Sequence, residues 1–267
     1  MGWQDKLFVL LLCGTSSIAV GANDDSLAKI AQNPLADVIT VPFQNNTNFN
    51  YGLYDHVQNV LNIQPVIPVT INPELNLITR TILPVMHQPE LFQRYGIHNG
   101  IGDLNPTFLF TPLKSKKVIW GLGPTFLIPT ASQQTLGTGK WGSGPAGVLV
   151  INSGKWVIGA ITNNIWSFAG PTRRASVNLL TFQYFINYNL PNGWYLVSAP
   201  IINANWHVAS NERWTIPFGA GVGRAFKLGS QPMNINLQYF YNVKNPEHIG
   251  PESSLRCTVQ FLFTKDA

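Results

Sequence analysis

Residues 175–211 read ASVNLLTFQYFINYNLPNGWYLVSAPIINANWHVASN and contain no Asp, Glu, Lys or Arg. The stretch is too long for one membrane helix, and Pro191-Asn192-Gly193 interrupts it. Its polar residues recur about every second position, which is the period of a β-strand. Lipid accepts only helices and closed barrels, because an unpaired backbone group is too costly there. Weak alternation in segments of about ten residues, separated by turns, is typical of a membrane β-barrel.

The alternation is clearest in residues 180–189, and it recurs in residues 234–243 and 61–70. One face of the first segment is apolar and aromatic, with Leu180, Phe182, Tyr184, Ile186 and Tyr188. The other face is rich in amides and carries Thr181, Gln183, Phe185, Asn187 and Asn189. The first face is too apolar for water and the second too polar for a dry core. We therefore expect one face to meet lipid and the other to line a wet lumen.

Such segments predict about twelve strands, near 39–50, 58–71, 75–86, 101–113, 118–131, 142–151, 156–168, 177–189, 194–206, 213–226, 232–243 and 254–263. Connections after even-numbered strands are short, and most of those after odd-numbered strands are longer. Short periplasmic turns that alternate with longer outside loops are typical of an outer-membrane barrel. The predicted fold class is therefore all-β, a transmembrane antiparallel up-and-down β-barrel of about 12 strands.

The first residues predict export. A short start with one Lys and one Asp precedes the apolar run 7–19, and the small residues Val20, Gly21 and Ala22 follow. This pattern is typical of a secretory signal peptide, here 1–22 with cleavage after Ala22. Residues 23–35 are expected to form a short periplasmic segment, with a helix over 26–33 capped by Asp24, Asp25 or Ser26 and ended by Pro34. A handle outside the barrel is preferred to a plug in its lumen, and the barrel itself covers 36–267.

Composition limits the functional classes. Charged residues make up 11% of the chain, below the roughly 25% of soluble domains. The net charge of +5 comes from dispersed basic residues, which disfavours nucleic-acid binding. With Cys13 in the leader, Cys257 is the only other cysteine, so no internal disulfide is expected. No cofactor and no metal site is predicted.

Tryptophans mark both ends of the predicted strands. Indole rings favour the two interfaces of a membrane, where one edge is apolar and the other is wet. The residues expected in these two aromatic girdles are Trp120, Trp156 and Trp194 at the short-turn end and Trp141, Trp166, Trp206 and Trp214 at the long-loop end.

Few charges fall inside the predicted strands. The alternation turns Arg80, Asp103 and Arg256 inward, whereas Arg224 faces outward near a strand end, where it can reach the interface. Asp103 is expected to pair with one of the two arginines across the lumen. The residues predicted to line the lumen and to set its selectivity are Gln64, Arg80, Asp103, Gln183, Asn187, Asn236, Gln238, Arg256 and Gln260.

Enzymatic motifs are weak. Barrel enzymes that act on acyl chains need a serine and a histidine on neighbouring strands, and all five histidines are predicted in outside loops. Gly137-Thr138-Gly139-Lys140-Trp141 lacks the Ser or Thr that follows the lysine of a phosphate-binding loop. Gly219, Gly221 and Gly223 alternate along one strand and are expected to make room in the lumen wall. The chain is therefore predicted not to be an enzyme.

Nine prolines fall inside the predicted strands, where proline cannot donate to the ladder. We expect bulges at several of them, namely Pro42, Pro65, Pro68, Pro84, Pro106, Pro124, Pro145, Pro200 and Pro217. The last strand resembles the C-terminal signal of the barrel-assembly machinery, although residues 264–267 follow Phe263.

Several motifs resemble a bacterial family of outer-membrane barrels associated with the meta-pathway of phenol degradation, some of whose members are mislabelled neuromedin U. They are residues 35–51, 102–106 (GDLNP), 137–141 (GTGKW), 166–170 (WSFAG) and 188–195 (YNLPNGWY). The resemblance spans nearly all of the chain after the leader. It implies a barrel with an uptake role and supplies no catalytic residue.

Taken together, the sequence predicts an outer-membrane channel or transporter for small molecules, aromatic or apolar ones among them. The alternative is a structural or adhesive barrel with a filled lumen, and a less favoured one is an acyl-chain-modifying enzyme. The expected partners are outer-membrane lipid, lipopolysaccharide, the barrel-assembly machinery and a small-molecule solute.

Overall fold

The computed structural model describes residues 23–90, 96–113, 117–246 and 249–263. The predicted signal peptide lies outside these residues. Within them the elements follow in the order α1 (Asp24–Ala31), β1 (Ile39–Tyr51), β2 (His56–Ile63), β3 (Val66–Asn72), β4 (Leu75–Gln88), β5 (His98–Ile101), β6 (Asn105–Pro112), β7 (Val118–Leu127), β8 (Trp141–Ser153), β9 (Trp156–Ala169), β10 (Asn178–Asn189), β11 (Trp194–Ser198), β12 (Ile201–Asn205), β13 (Trp214–Leu228), β14 (Gln231–Lys244) and β15 (Ser253–Phe263).

The strand segments form one closed antiparallel barrel. Three strands are interrupted, so that β2 and β3, β5 and β6, and β11 and β12 are halves of single strands, and the fifteen segments make twelve strands. Neighbours along the chain pair with each other, and β1 closes on β15 from Ile39 opposite Phe263 to Phe49 opposite Ser253. The predicted fold class is confirmed, and every predicted strand bound lies within four residues of the observed one.

Period-two alternation separates the outside of the wall from the inside. On β14 the outward side chains of Leu237, Tyr239 and Tyr241 are 48%, 52% and 49% exposed, whereas the inward Asn234 and Gln238 are 3% and 4% exposed. Each exposed apolar side chain gains free energy by meeting hydrocarbon instead of water. The outer surface is thus suited to lipid. No helix among the described residues is long and apolar enough to cross a membrane.

The seven predicted tryptophans lie at or directly beside strand ends. Trp120, Trp156 and Trp194 lie at the short-turn end; Trp141, Trp166, Trp206 and Trp214 lie at the long-loop end. All except Trp214, which is half-buried, are at least 38% exposed. Arg224 also faces outward, with its guanidinium 5.3 Å from the ring centroid of Trp194. The apolar outer surface therefore has a belt of tryptophan side chains near each of its two ends.

The cap of helix α1 lies one residue before the three residues that were expected to supply it. The side-chain oxygen of Asn23 accepts a hydrogen bond from the backbone N–H of Ser26 at 2.9 Å, so Asn23 is the cap instead of Asp24, Asp25 or Ser26. Asp24 and Asp25 occupy the first turn, where negative charge is favourable. Leu27 and Ala28 are buried at 1% and 0% exposure, so one face of this short helix has a protein partner.

The segment from α1 to β1 crosses the inside of the barrel. Asp25 accepts a hydrogen bond from the backbone N–H of Gly193 at 2.9 Å, beside the start of β11. Asp37 accepts one from Asn76 of β4 at 3.1 Å. Since β4 is the third of twelve strands and β11 begins the ninth, these two contacts lie on opposite sides of the barrel. The preferred expectation of a handle outside the barrel is wrong, because residues 24–38 form a plug at the short-turn end of the lumen.

Prolines explain two of the three strand interruptions. Pro65 separates β2 from β3, and Pro200 separates β11 from β12. A third proline, Pro217, lies at a register shift between β13 and β14. Proline has no N–H to give to a ladder, so interruptions and bulges are where it is tolerated. Other prolines keep the register, as where Pro124 lies opposite Pro145.

Candidate solute-binding lumen

The cavity next to the plug is called the lower cavity, and it lies inside the barrel directly above the plug. Its volume is about 180 Å³, and residues 31–38 supply part of its lining. Eight of the nine predicted lumen residues lie around it: Gln64, Arg80, Gln183, Asn187, Asn236, Gln238, Arg256 and Gln260. They come from four barrel strands and from the break between β2 and β3, so the alternation brings together side chains that are far apart in sequence.

The upper cavity lies toward the long-loop end and has a volume of about 330 Å³. Its lining combines aromatic and aliphatic side chains, such as Tyr51, Phe240 and Ile201, with amides such as Asn46 and Asn242. Arg256 lines both cavities. A cavity of roughly 150 Å³ is enough to hold benzene in another protein, so each of these spaces can accept a single aromatic ring.

Arg256 stands where the two cavities meet. Its side chain is 5% exposed, and its Nε donates to Asn46 Oδ1 at 2.9 Å. Its Nη1 donates to the carbonyl oxygen of Ala199 at 2.6 Å, and its guanidinium lies 4.7 Å from the ring centroid of Phe240. Ala199 is three barrel strands away from Arg256, so the side chain reaches along the lumen wall and narrows the passage.

The backbone of Ala199 can bind lumen side chains because the break at Pro200 leaves it out of the hydrogen-bond ladder between strands. Its carbonyl oxygen also accepts from Gln183 Nε2 at 3.2 Å, and its N–H donates to Gln238 Oε1 at 3.1 Å. One backbone position thus binds three lumen side chains. The sequence analysis did not name Ala199, although the in-strand Pro200 was a signal that the ladder would be broken nearby.

Arg80 lines the lower cavity from β4, nearer the plug. Its Nη2 donates to Gln64 Oε1 at 2.6 Å. Gln64 is itself 5% exposed, so its oxygen is directed at the guanidinium rather than at open water. Both lumen arginines are therefore held by neutral oxygen atoms from amide side chains or the backbone.

Asp103 is the predicted lumen residue that the structure places elsewhere. Its Oδ2 accepts from the backbone N–H and the hydroxyl of Thr138 at 2.6 and 2.8 Å, and its Oδ1 accepts from the N–H of Ala131 at 3.2 Å. It lines neither cavity. The expected pairing with an arginine across the lumen is wrong, because Asp103 instead fixes the connection between β7 and β8.

Arg174 holds the same connection from the other side. Its Nε donates to the carbonyl of Thr138 at 2.9 Å, and its Nη2 donates to the carbonyls of Gln134, at 2.8 Å, and Gly137. The segments 102–106 and 137–141, which carry part of the family resemblance, are therefore neighbours in space. Their common role in the structure is to order an outside loop.

Part of the plug end of the lumen is filled by apolar side chains, whereas the sequence predicted a polar, wet lumen. Leu27 and Leu35 of the plug belong to one buried cluster with inward side chains of the wall, among them Ile78, Val157 and Phe185. Burying such side chains stabilises each by about 1.5–3 kcal/mol relative to water. The plug thus packs on an apolar part of the wall, while Asn76 and Asn189 of the wall form hydrogen bonds with Asp37 and Gln32 of the plug.

Tyr195 shows how glycine makes room in this wall. Its hydroxyl donates to Asn234 Oδ1 at 2.7 Å, and its side chain is 1% exposed. A Cβ atom added at Gly223 would lie 2.2 Å from Cζ of that ring. The expectation that Gly223 provides space inside the lumen is therefore confirmed.

The histidines differ from their predicted position. His56, His87 and His98 lie within strands at the long-loop end, although outside loops were expected for all five; His248 lies outside the described residues. The Nδ1 atom of His87 lies 2.7 Å from Asn99 Oδ1. Among the described residues, no group of three His, Cys, Asp or Glu side chains could hold a metal ion.

Comparison with known proteins supports the fold. No protein-family model matches the sequence, and no curated protein matches it. The chain is similar to an outer membrane channel from Pseudomonas putida F1, with a TM-score of 0.62 and 18% identity over 85% of this chain and 94% of that chain. It is less similar to outer membrane phospholipase A from Escherichia coli, with a TM-score of 0.44 and 11% identity over 92% of this chain and 99% of that chain. The P. putida toluene transporter TodX has a TM-score of 0.44 and 9% identity over 95% of this chain and 98% of that chain. The first likeness shows a shared outer-membrane β-barrel fold, and the other two are too weak to support an argument.

Proposed function

We propose that this chain is an outer-membrane channel for small molecules, including solutes with an aromatic or apolar part. The observation that carries the proposal is the pair of cavities, about 180 and 330 Å³, that lie within one barrel and share Arg256 in their linings. A barrel that served only as a scaffold would gain stability by filling this space with apolar side chains. Instead, buried amides surround it, and amides are side chains that can bind and release a passing solute.

The family association is part of the same proposal. The resemblance to barrels linked with the meta-pathway of phenol degradation includes the segments 102–106 and 137–141, and Asp103 and Thr138 bind each other there. An aromatic solute suits the upper cavity, since Tyr51 and Phe240 lie in its lining. We assign the outer membrane as the location because the outward side chains form an apolar surface between two rings of tryptophan.

The lipid and assembly partners are proposed on the same basis. The outward face of β15 carries Leu255, Val259, Phe261 and Phe263, the kind of strand that the assembly machinery recognises. Of the loop arginines, Arg173 is exposed and available for lipopolysaccharide phosphates, whereas Arg174 is bound to loop carbonyls.

A structural or adhesive barrel remains a second candidate because one observation favours it. The plug and the apolar cluster around Leu27 and Leu35 fill the short-turn end of the lumen. Under that function no solute would pass between the plug and the wall.

Solute flux separates the two functions. The chain without its predicted leader would be reconstituted into liposomes, and the entry of uncharged solutes of increasing size would be followed by swelling. A channel with cavities of these volumes should admit molecules the size of a single ring and exclude disaccharides. Swelling rates equal to those of protein-free liposomes for every solute would contradict the channel and favour the filled barrel.

A further inference from the structure

The lower cavity has an unbalanced charge. Arg80 and Arg256 line it, and none of the described lining residues is Asp or Glu. The acidic side chains of the neighbouring elements are engaged elsewhere: Asp25 with Gly193, Asp37 with Asn76, and Asp103 with Thr138. Other lining residues are uncharged, with many amides among them. The potential inside this part of the lumen is therefore positive.

Both guanidinium groups keep donors that point to no described protein acceptor. Arg256 uses Nε and Nη1, and Arg80 uses Nη2; the remaining N–H groups of the two side chains have no acceptor among the described residues. Arg256 is 5% exposed, so little bulk water reaches its charge. A buried cation is costly unless anionic or strongly polar groups surround it. The planar fork of N–H donors on arginine matches the two oxygens of a carboxylate.

The two arginines also occupy successive places along the lumen. Arg256 lines both cavities, whereas Arg80 lines the lower cavity alone and lies closer to the plug. A solute that moves from the upper cavity to the lower one must pass Arg256 and then reaches Arg80. The ring of Phe240 lies against the guanidinium of Arg256, which puts an aromatic surface beside the first charge.

We infer that this lumen selects small carboxylates that carry one ring, with Arg256 and Arg80 as consecutive binding groups for the carboxylate. The inference rests on the proposed channel function and names its solute class. The ring is accommodated in the upper cavity among Tyr51, Phe240 and Ile201, while the carboxylate meets Arg256. Neutral rings of the same size lack the group that these donors bind.

Ion selectivity and block by matched solutes test the inference. The refolded chain would be placed in planar bilayers under a KCl gradient, and the reversal potential would be measured. We expect permeability to chloride to exceed that to potassium by at least about threefold. Benzoate should reduce the current at a roughly tenfold lower concentration than benzamide, its neutral counterpart, or benzylamine, its cationic one. Equal block by benzoate and benzamide, or a preference for potassium, would overturn the inference.

Variants assign the effect to the lumen arginines. R256Q and R80Q should each weaken the chloride preference and the advantage of benzoate, and R256K should retain the chloride preference. Arg224 offers a matched control, because it faces outward against Trp194 and R224Q removes one positive charge outside the lumen. If R224Q reduced the preference as much as R256Q, a general effect of net charge would explain the result and the lumen site would be rejected.

A binding measurement that does not depend on transport separates the proposed channel from the proposed carboxylate site. Fluorine NMR of 4-fluorobenzoate with the folded barrel in detergent micelles reports binding whether or not current flows. A barrel that passes no current but binds this probe through Arg256 would refute the channel and retain the carboxylate site. A barrel that conducts but shows no binding that R256Q abolishes would retain the channel and refute the site.

Discussion

At the scale of single residues, neutral oxygen atoms hold both lumen arginines, and Asp103 stabilises a loop instead of pairing with either of them. Alternation placed Arg80 and Arg256 on the inner face, where both are found. It could not show that Asp103 lies where the ladder gives way to a loop, because a loop residue no longer follows the period of two. Its carboxylate binds Thr138, which is 35 positions away in sequence. Such a contact depends on the folded loop, and no local pattern encodes it.

The contact between Gly223 and Tyr195 leads to a stability prediction. G223V places a branched side chain where a Cβ atom would already lie 2.2 Å from the ring, so Tyr195 must move and lose its bond to Asn234. Such overpacking costs about 1–3 kcal/mol. Urea titration followed by the heat-modifiable gel shift should show this loss. The control A220V places the same valine side chain on the outward face of the same strand, and an equal loss there would argue against a specific clash.

The loop anchor at Asp103 leads to a second prediction. D103A removes three hydrogen bonds, those from Thr138 N–H, Thr138 hydroxyl and Ala131 N–H, so the connection between β7 and β8 should become more mobile. Hydrogen exchange should be faster in this connection and unchanged in β14.

A double-variant cycle checks that the contact with Thr138 is specific. T138V removes the hydroxyl partner of Asp103, so the double variant D103A/T138V should exchange about as fast as D103A alone. Strictly additive increases would show that Asp103 stabilises the loop by some other contact.

At the scale of elements, the sequence predicted every barrel strand but misplaced the helix. Strands recur at a regular spacing, and aromatic and charged residues reinforce their limits. The helix shows a single apolar side, with Leu27, Ala28 and Ile30, and this pattern fits an external segment as well as a plug. What decides its place is the complementary surface on the inside of the wall, including Ile78 and Val157. That surface is assembled only when the barrel closes.

Docking of the plug can be tested by placing an aspartate on the buried side of helix α1 in one variant and on its exposed side in another. L27D puts a carboxylate at a site that is 1% exposed, where an unpaired charge is strongly unfavourable. In chains whose own exposed cysteine is removed by C257S, we expect the helix to leave the wall and cysteine-labelling reagents to reach A28C only in the L27D background. K29D places the same side chain on the exposed side of α1 and should leave A28C protected. Labelling of A28C at the same rate in the parent chain would show that the helix is not docked.

At the scale of the whole molecule, the apolar outer surface is suited to lipid and the partly polar interior is suited to water. The outward tryptophans and the inward amides both follow from the period of two along the strands, so the fold class could be predicted from sequence. Whether the lumen passes a solute depends on how much of the barrel's cross-section is filled by the plug, by Arg256 and by the backbone at Ala199. Those distances arise from tertiary packing, and the order of residues along the strands does not specify them.

The most direct test of the central claim is the single-channel current of the refolded chain in planar bilayers, measured beside the L27D variant. A channel narrowed by a docked plug predicts small, discrete openings for the parent chain and larger ones for L27D, because the variant frees the short-turn end. A folded, heat-modifiable barrel that carries no current in either form would contradict the claim and identify the lumen as filled.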